Sequence, residues 1–253
     1  MFSRGKLSKL KLTVIAEDTV AYESPYLGQH GVSFLLTTEK DGIKKNVLVD
    51  VAQNPTALLE NINMMQISLS CIDAVVLTHC HYDHTQGLGT IIKEIGKKDI
   101  PIIAHPDIFR LNFITDPYLE RVTDFEEVGM NLFTIDNGEV KTDPMLDDIS
   151  VVANIKGRGL VIVTGCSHAG IVNITRQAIK LTDTEKIHGI IGGFHLIEAS
   201  ESRIKKTAQA LKEFNPDWIY AGHCTGFKAQ VELYNTFKDR FSPLHTGMII
   251  EVP

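Results

Sequence analysis

The sequence predicts an α/β protein, and three features predict it. Short runs rich in Val, Ile and Leu alternate with segments of helical spacing, glycines punctuate the alternation, and several runs are apolar at every position. A strand that is apolar on both faces must be covered on both, so its sheet lies inside the molecule. At 253 residues the chain can bury a core of that kind within one domain spanning its whole length.

From the N-terminal end, KLTVIAED, SFLLTTE and NVLVDV read as strands, the last two joined by a turn around Lys40–Lys44. Asn54 to Met65 has helical spacing, with Pro55 suited to a first turn after Asn54. IDAVVLTH is too apolar to be half exposed and is expected inside a sheet. A helix from about Gln86 to Lys97 and a short strand, PIIAHP, follow. The region from about Asp107 to Asp148 is the least regular, with scattered prolines, glycines and acidic residues, among them Asp116, Asp124, Asp143, Asp147 and Asp148. A segment of that length is expected to be a lid or substrate-recognition insert, its charges forming a solvated surface. The alternation then resumes: ISVVANI, GLVIVTG, a helix from about Ile171 to Leu181, HGIIGGF, a helix from about Ser202 to Phe214, WIYAGH, another helix and GMIIEV. No low-complexity tract, Ser/Pro linker or solenoid-length repeat divides the chain.

Composition narrows the function classes. Hydrophobic residues are 43% and charged residues 22%, as in ordinary globular proteins, and the net charge of −6 argues against a general nucleic-acid binder. Arg4, Lys6, Lys9 and Lys11 precede no long apolar run, so Met1–Leu12 reads as a lead-in to the first strand and not as a signal peptide. No stretch approaches the roughly 18 apolar residues of a membrane span. Cys71, Cys80, Cys166 and Cys224 show no framework spacing, which points to free thiols and a cytoplasmic location. Cys71 and Cys166 read as small, buried strand-end residues.

The chemistry concentrates in THCHYDHTQG, Thr78 to Gly87. The imidazoles of His79 and His81 and the carboxylate of Asp83 are donors suited to Zn, Mn or Fe. They follow a buried strand directly, and the C-terminal ends of strands are where α/β sheets place their chemistry. Alternate residues of an extended loop point the same way, so His79 and His81 can grip one ion while Asp83 and His84 face a neighbouring position. GLVIVTGCSH sets His168 just past an apolar strand, and WIYAGH does the same for His223. Three buried strands each delivering histidine to one sheet edge point to metal.

These motifs resemble the metallo-β-lactamase superfamily, whose HxHxDH signature corresponds to His79–His84. NVLVDVA resembles the family strand that ends in a supporting aspartate, here Asp50; GCSHAGIVN supplies the third-histidine motif in His168; and YAGHCTG supplies the last in His223. GQHGVSF, GGFHL and HCTG further resemble a branch that includes an archaeal pterin-precursor synthase, which joins a dihydropterin to a ribosyl-aminobenzene phosphate. The resemblance runs from about Lys11 to the C-terminus. It implies a four-layer αββα sandwich, two mixed sheets face to face with helices on the outer faces. It assigns His79, His81 and His168 to one divalent ion and Asp83, His84 and His223 to a second. Asp50 orients a ligand histidine through a hydrogen bond.

One departure stands out. Most dinuclear members carry a bridging aspartate after the strand between the third and last histidine motifs; here that strand, HGIIGGF, ends in His195, and the next acidic residue is Glu198. His195 is expected to point into the cavity, with Gly192 and Gly193 letting the backbone approach, and to cap a metal, act as an acid/base group or contact substrate. His30, in GQHGVS, is a candidate substrate contact. His105 is a weaker candidate, and His188 and His245 read as structural or solvated. Neither Ser33 nor Ser167 sits in a G-x-S-x-G context, and IIGGF is no dinucleotide fingerprint.

The expected function is metal-dependent hydrolysis of a small ester, thioester, lactone or phosphodiester, with Asp83 orienting the water. The alternative is transfer of a dihydropterin from its pyrophosphate to an arylamine, with the 107–148 insert excluding water. A further alternative is a metal-binding or redox protein without hydrolytic turnover. Zinc leads the metal candidates, although imidazole and carboxylate accept Zn, Mn, Fe and Ni alike.

Overall fold

The computed structural model describes residues 5–109, 133–136, 139–142 and 145–253, those of 133–142 by backbone alone. The first-half strands are β1 (Lys9–Ala16), β2 (Ser33–Lys40), β3 (Ile43–Val49), β4 (Ala74–Val76) and β5 (Ile102–Ile103). A pair, β6 (Phe133–Asp136) and β7 (Glu139–Thr142), precedes β8 (Ser150–Ile155), β9 (Gly159–Thr164) and β10 (Ile187–Gly193). The last are β11 (Trp218–Gly222), β12 (Phe241–Pro243) and β13 (Ile249–Val252). The helices are α1 (Pro55–Met64), the single turn α2 (Tyr82–Thr85), α3 (Leu88–Ile95), α4 (Ile171–Thr182), α5 (Glu201–Glu213) and α6 (Phe227–Phe237).

The strands form two mixed sheets, of order β13-β1-β2-β3-β4-β5 and β12-β11-β10-β9-β8, and β6 pairs antiparallel with β7. In the first sheet β3, β4 and β5 run parallel, and in the second β9 to β12 do. Three apolar layers make this a four-layer αββα sandwich. Leu10, Leu12, Phe34 and Leu36 meet Val161, Val163 and Ile191 between the sheets. Leu58 and Ile62 of α1 and Ile91 and Ile95 of α3 cover the outer face of the first sheet. Leu160, Ile162 and Ile190 pack under Ile204, Ala208 and Leu211 of α5. In β9 alternate residues therefore serve different cores, and all six are buried. Each such apolar side chain contributes about 1.5–3 kcal/mol.

Local chemistry sets the helix ends. Asn54 Oδ1 accepts from the backbone N–H groups of Thr56 and Ala57, which starts α1. The buried residues of α5 recur at i, i+4 and i+7, one helical stripe. Buried Asn61 of α1 donates from Nδ2 to the carbonyls of Ile15 and Leu27 and accepts from Leu27 N–H, which pins the β1–β2 loop that carries Asp18 and His30.

The element boundaries differ from the sequence reading at four places. The IDAVVLTH strand is only Ala74–Val76, because the Thr78 backbone N–H turns from the ladder to Asp50 Oδ1 at 2.7 Å. The helix expected from Gln86 to Lys97 is the shorter α3, ended by Gly96, left-handed at φ 67°, and a separate single turn, α2, precedes it. β12 was not expected, since FSP is short and ends in proline. Cys71 is exposed within a short 3₁₀ turn, not a buried strand-end residue.

Most of the 107–148 insert, with Asp116, Asp124 and Asp143, lies outside the described residues. Its end corrects the reading of a solvated surface: Asp147 is fully buried, and Asp148 Oδ2 accepts from Ala169 N–H at 2.7 Å. Burial pushes the Asp148 carboxyl up to about 6. No helix among the described residues is long and apolar enough to cross a membrane.

Candidate metal centre

The C-terminal ends of six strands meet at one edge of the sandwich: Glu17 and Asp18 after β1, Asp50 after β3, Thr78–His84 after β4, Gly165–His168 after β9, His195 beyond β10 and His223 after β11. At Asp50, Ser167, His195 and His223 the backbone is left-handed, with φ between 47° and 59°. Non-glycine residues held there cost on the order of 1–3 kcal/mol each, and such strain gathers at functional sites. The turn lets each strand deliver its side chain back over the sheet edge.

Asp50 organises the floor, fully buried. Its Oδ2 accepts from Thr78 Oγ1–H and from His84 Nδ1–H, both at 2.7 Å. The Thr78 oxygen, its proton committed to Asp50, accepts from His79 Nδ1–H at 3.0 Å. One carboxylate thus fixes two imidazoles with Nδ1 protonated and Nε2 turned inward, the orientation a metal ligand needs.

His79 Nε2 lies 3.0 Å from His81 Nδ1 and 3.2 Å from His168 Nε2. Donors about 2.0–2.1 Å from a tetrahedral zinc are spaced about 3.3 Å apart, so each of these two separations suits a pair of ligands on one ion. The donor atoms that all lie within 4.8 Å of one another here are those of His79, His168 and Cys166. Burial, reinforced by the neighbouring imidazoles, holds His79 and His168 well below the usual histidine range. Neutral imidazoles are the ligating form.

The second group surrounds Asp83 Oδ2, which lies 3.1 Å from His223 Nε2, 3.3 Å from His84 Nε2 and 3.6 Å from His30 Nε2. Burial opposes charge on Asp83 and on His84 alike, but their attraction outweighs it: Asp83 stays well below the carboxylate range, and Asp83 with Asp50 pushes His84 up to about 10. The pocket is built for positive charge beside Asp83.

Asp18 and Glu17 escaped the sequence reading. Asp18 accepts from His223 Nδ1–H at 2.5 Å and from His30 Nδ1–H at 2.9 Å, so that both Nε2 atoms face Asp83. Burial opposes its charge, yet the two imidazoles bring its pKa down to about 2. Glu17, buried, accepts the His223 backbone N–H at 2.5 Å. The only signal was the acidic pair ending KLTVIAED. Asp18→Asn is expected to weaken metal binding at the His223 side about 10–100-fold, as loss of an outer hydrogen-bond partner does. Calorimetric zinc titration that finds both affinities unchanged would remove Asp18 from the site.

The remaining candidates separate. His195 lies beside His168, ring centroids 4.3 Å apart, and its backbone N–H donates to Cys224 Sγ at 3.3 Å. His30 is half exposed at the mouth. His105 sits near Asp107, His188 bonds Asp217 and His245 bonds the Thr246 carbonyl, each apart from the cluster. Cys166 is buried as expected, but its Sγ lies 3.2 Å from His84 Nε2 and forms part of the cluster. Burial raises its thiol pKa well above the usual range.

The model of the beta-lactamase superfamily domain matches residues 45–161. The chain is 37% identical, over 98% of each sequence, to the 7,8-dihydropterin-6-methyl-4-(beta-D-ribofuranosyl)-aminobenzene-5'-phosphate synthase of Methanocaldococcus jannaschii. It is 30% identical to an uncharacterized protein of the same organism, covering 94% of this chain and 99% of that one. Among solved structures, Tm1679, described as a metal-dependent hydrolase of the beta-lactamase superfamily, superposes with a TM-score of 0.73 at 23% identity, covering 96% of this chain and 99% of its own. That likeness speaks for the fold.

Proposed function

The chain belongs to the metallo-β-lactamase superfamily, and on that premise we propose that it is a metal-dependent hydrolase of a small ester, thioester, lactone or phosphodiester. Its ions, zinc first among the candidates, are held by His79, His81 and His168 at one position and by Asp83, His84 and His223 at the other. The observation that carries this reading is the convergence of ring nitrogens at 3.0–3.2 Å on His79 Nε2, beside a second pocket around Asp83. A divalent ion in such a site lowers the pKa of water to about 7 and polarises a carbonyl or phosphoryl oxygen.

The protein's own residues supply the rest. Asp50 holds His79, through Thr78, and His84 in one tautomer, so neither ring reorganises as substrate arrives. Asp83 adds the negative charge that offsets cation repulsion and orients the attacking water. His30, half exposed with Nε2 3.6 Å from Asp83, stands where an incoming substrate passes and offers it a hydrogen bond. His195, beside His168, contacts the substrate or moves a proton.

A second reading is favoured by the 37% identity with the synthase over nearly all of both chains. On that reading the same histidines and Asp83 would hold ions that supply positive charge for a pyrophosphate leaving group, and an arylamine would take the place of water. One assay separates the readings. Chelator-stripped protein is reloaded with Zn, Mn, Fe or Ni and offered chromogenic esters and phosphodiesters, and in parallel a dihydropterin pyrophosphate with an arylamine. Metal-restored hydrolysis is expected; condensation without hydrolysis would replace it with the transferase, and no metal uptake would overturn both. In the same assay His195→Ala is expected to retain its metal and lose about 10²–10⁴-fold in turnover, the usual contribution of a general acid–base group. Unchanged turnover and metal content would leave His195 without a role.

A further inference from the structure

The family's bridging aspartate is replaced by His195, and a neutral imidazole cannot lie between two cations and offset their repulsion. The structure brings a different anion-forming group to that place. Cys166, 3% exposed, has its Sγ within 4.8 Å of ligand atoms of His79 and His168, and also within 4.8 Å of those of Asp83, His84 and His223. It is the side chain common to both ligand groups. We propose that Cys166 is a metal ligand, its thiolate bridging the two cation positions in place of the missing carboxylate.

Three observations support the assignment. The first is that shared membership: no other residue belongs to both groups among the described residues. Next, glycines on adjacent strands let the backbone carry the sulfur in. A Cβ at Gly165 would meet Thr78 Oγ1 at 2.2 Å and Asp50 Oδ2 at 3.0 Å, and one at Gly193 would meet Cys224 Sγ and the Gly165 carbonyl oxygen, each at 2.6 Å. Finally, the segment is fixed beyond the sulfur, where Ser167 Oγ–H donates to the Gly193 carbonyl at 2.7 Å. Thiolate is a soft donor suited to zinc, and a coordinating thiol gives up its proton outright, here to solvent as the ions bind. It would add a negative charge between the two cation positions to that of Asp83, which faces the second alone.

The inference rests on the metal-centre reading above, and its test distinguishes the two. Zinc-loaded wild-type protein is measured by X-ray absorption at the zinc edge. A bridging thiolate places one sulfur about 2.3 Å from each ion, so the average is about one sulfur per zinc, against about one half for a thiolate held by a single ion. Cys166→Ala is expected to lose the sulfur signal and to weaken the second zinc equivalent by more than the roughly 10–100-fold of a lost outer partner. Cys224→Ala is expected to keep the signal. An average near one half, a zinc shell of nitrogen and oxygen alone, or a signal lost with Cys224 and kept without Cys166 would each overturn the bridge. Failure of wild-type protein to take up Zn, Mn, Fe or Ni alike would overturn the metal centre itself, and uptake of the others without zinc would overturn the zinc–thiolate bridge. If Cys166→Ala does not fold, the wild-type spectrum decides by its sulfur count.

Discussion

Replacing His79 with alanine is expected to strip the ion from the His79–His81–His168 position and to cut turnover on the order of 10³-fold or more. His79 Nε2 is the atom on which the other two rings converge, at 3.0 and 3.2 Å. Its removal leaves two imidazoles and the proposed Cys166 thiolate, with the donor between the two rings gone. A catalytic metal supplies several kcal/mol of transition-state stabilisation, and each 1.36 kcal/mol is about tenfold in rate. The fold should survive. Thr78 keeps its bond to Asp50, and loss of one buried polar side chain costs about 1–3 kcal/mol against about 5–15 for a domain. Elemental analysis beside a thermal melt checks this; an intact fold with full metal content would refute the assignment.

Much of this site was legible because its signals are local. HCHYDH packs its donors into six positions, and His168 and His223 each follow an apolar strand that only a sheet interior can accommodate. The sandwich was legible for the same reason: β9 is apolar at successive positions, and its alternate residues do face two different cores. The IDAVVLTH strand ended early because a side chain replaced a ladder partner, Asp50 for the Thr78 backbone.

What escaped is what depends on long-range proximity. Asp18 reads as the polar end of a strand, and its partners His30 and His223 are 12 and 205 positions away. Cys166 reads as packing, because a small buried residue after a strand looks the same whether or not an imidazole lies 3.2 Å off; His84 is 82 positions distant. Asp147 and Asp148 belong to an acidic run that resembles a solvated surface, and only the fold buries the first and sets the second against Ala169.

Asp83→Asn is expected to separate the two cation positions. The carboxylate Oδ2 sits 3.1 Å from His223 Nε2 and 3.3 Å from His84 Nε2, while His81 and His168 each approach His79 Nε2, at 3.0 and 3.2 Å. Asparagine keeps the shape and removes the charge. Its amide is a poor ligand and cannot offset cation repulsion, so one zinc equivalent should be retained and the other weakened beyond detection at stoichiometric loading. Turnover should fall about 10²–10⁴-fold, since the side chain that orients the water has lost its accepting charge. In the metal-free form the variant also loses the attraction between Asp83 and the buried His84, so its thermal midpoint should fall below wild type. Zinc titration and turnover measured on the same preparation decide the matter. Two equivalents bound with wild-type turnover would show that Asp83 neither holds an ion nor orients the nucleophile.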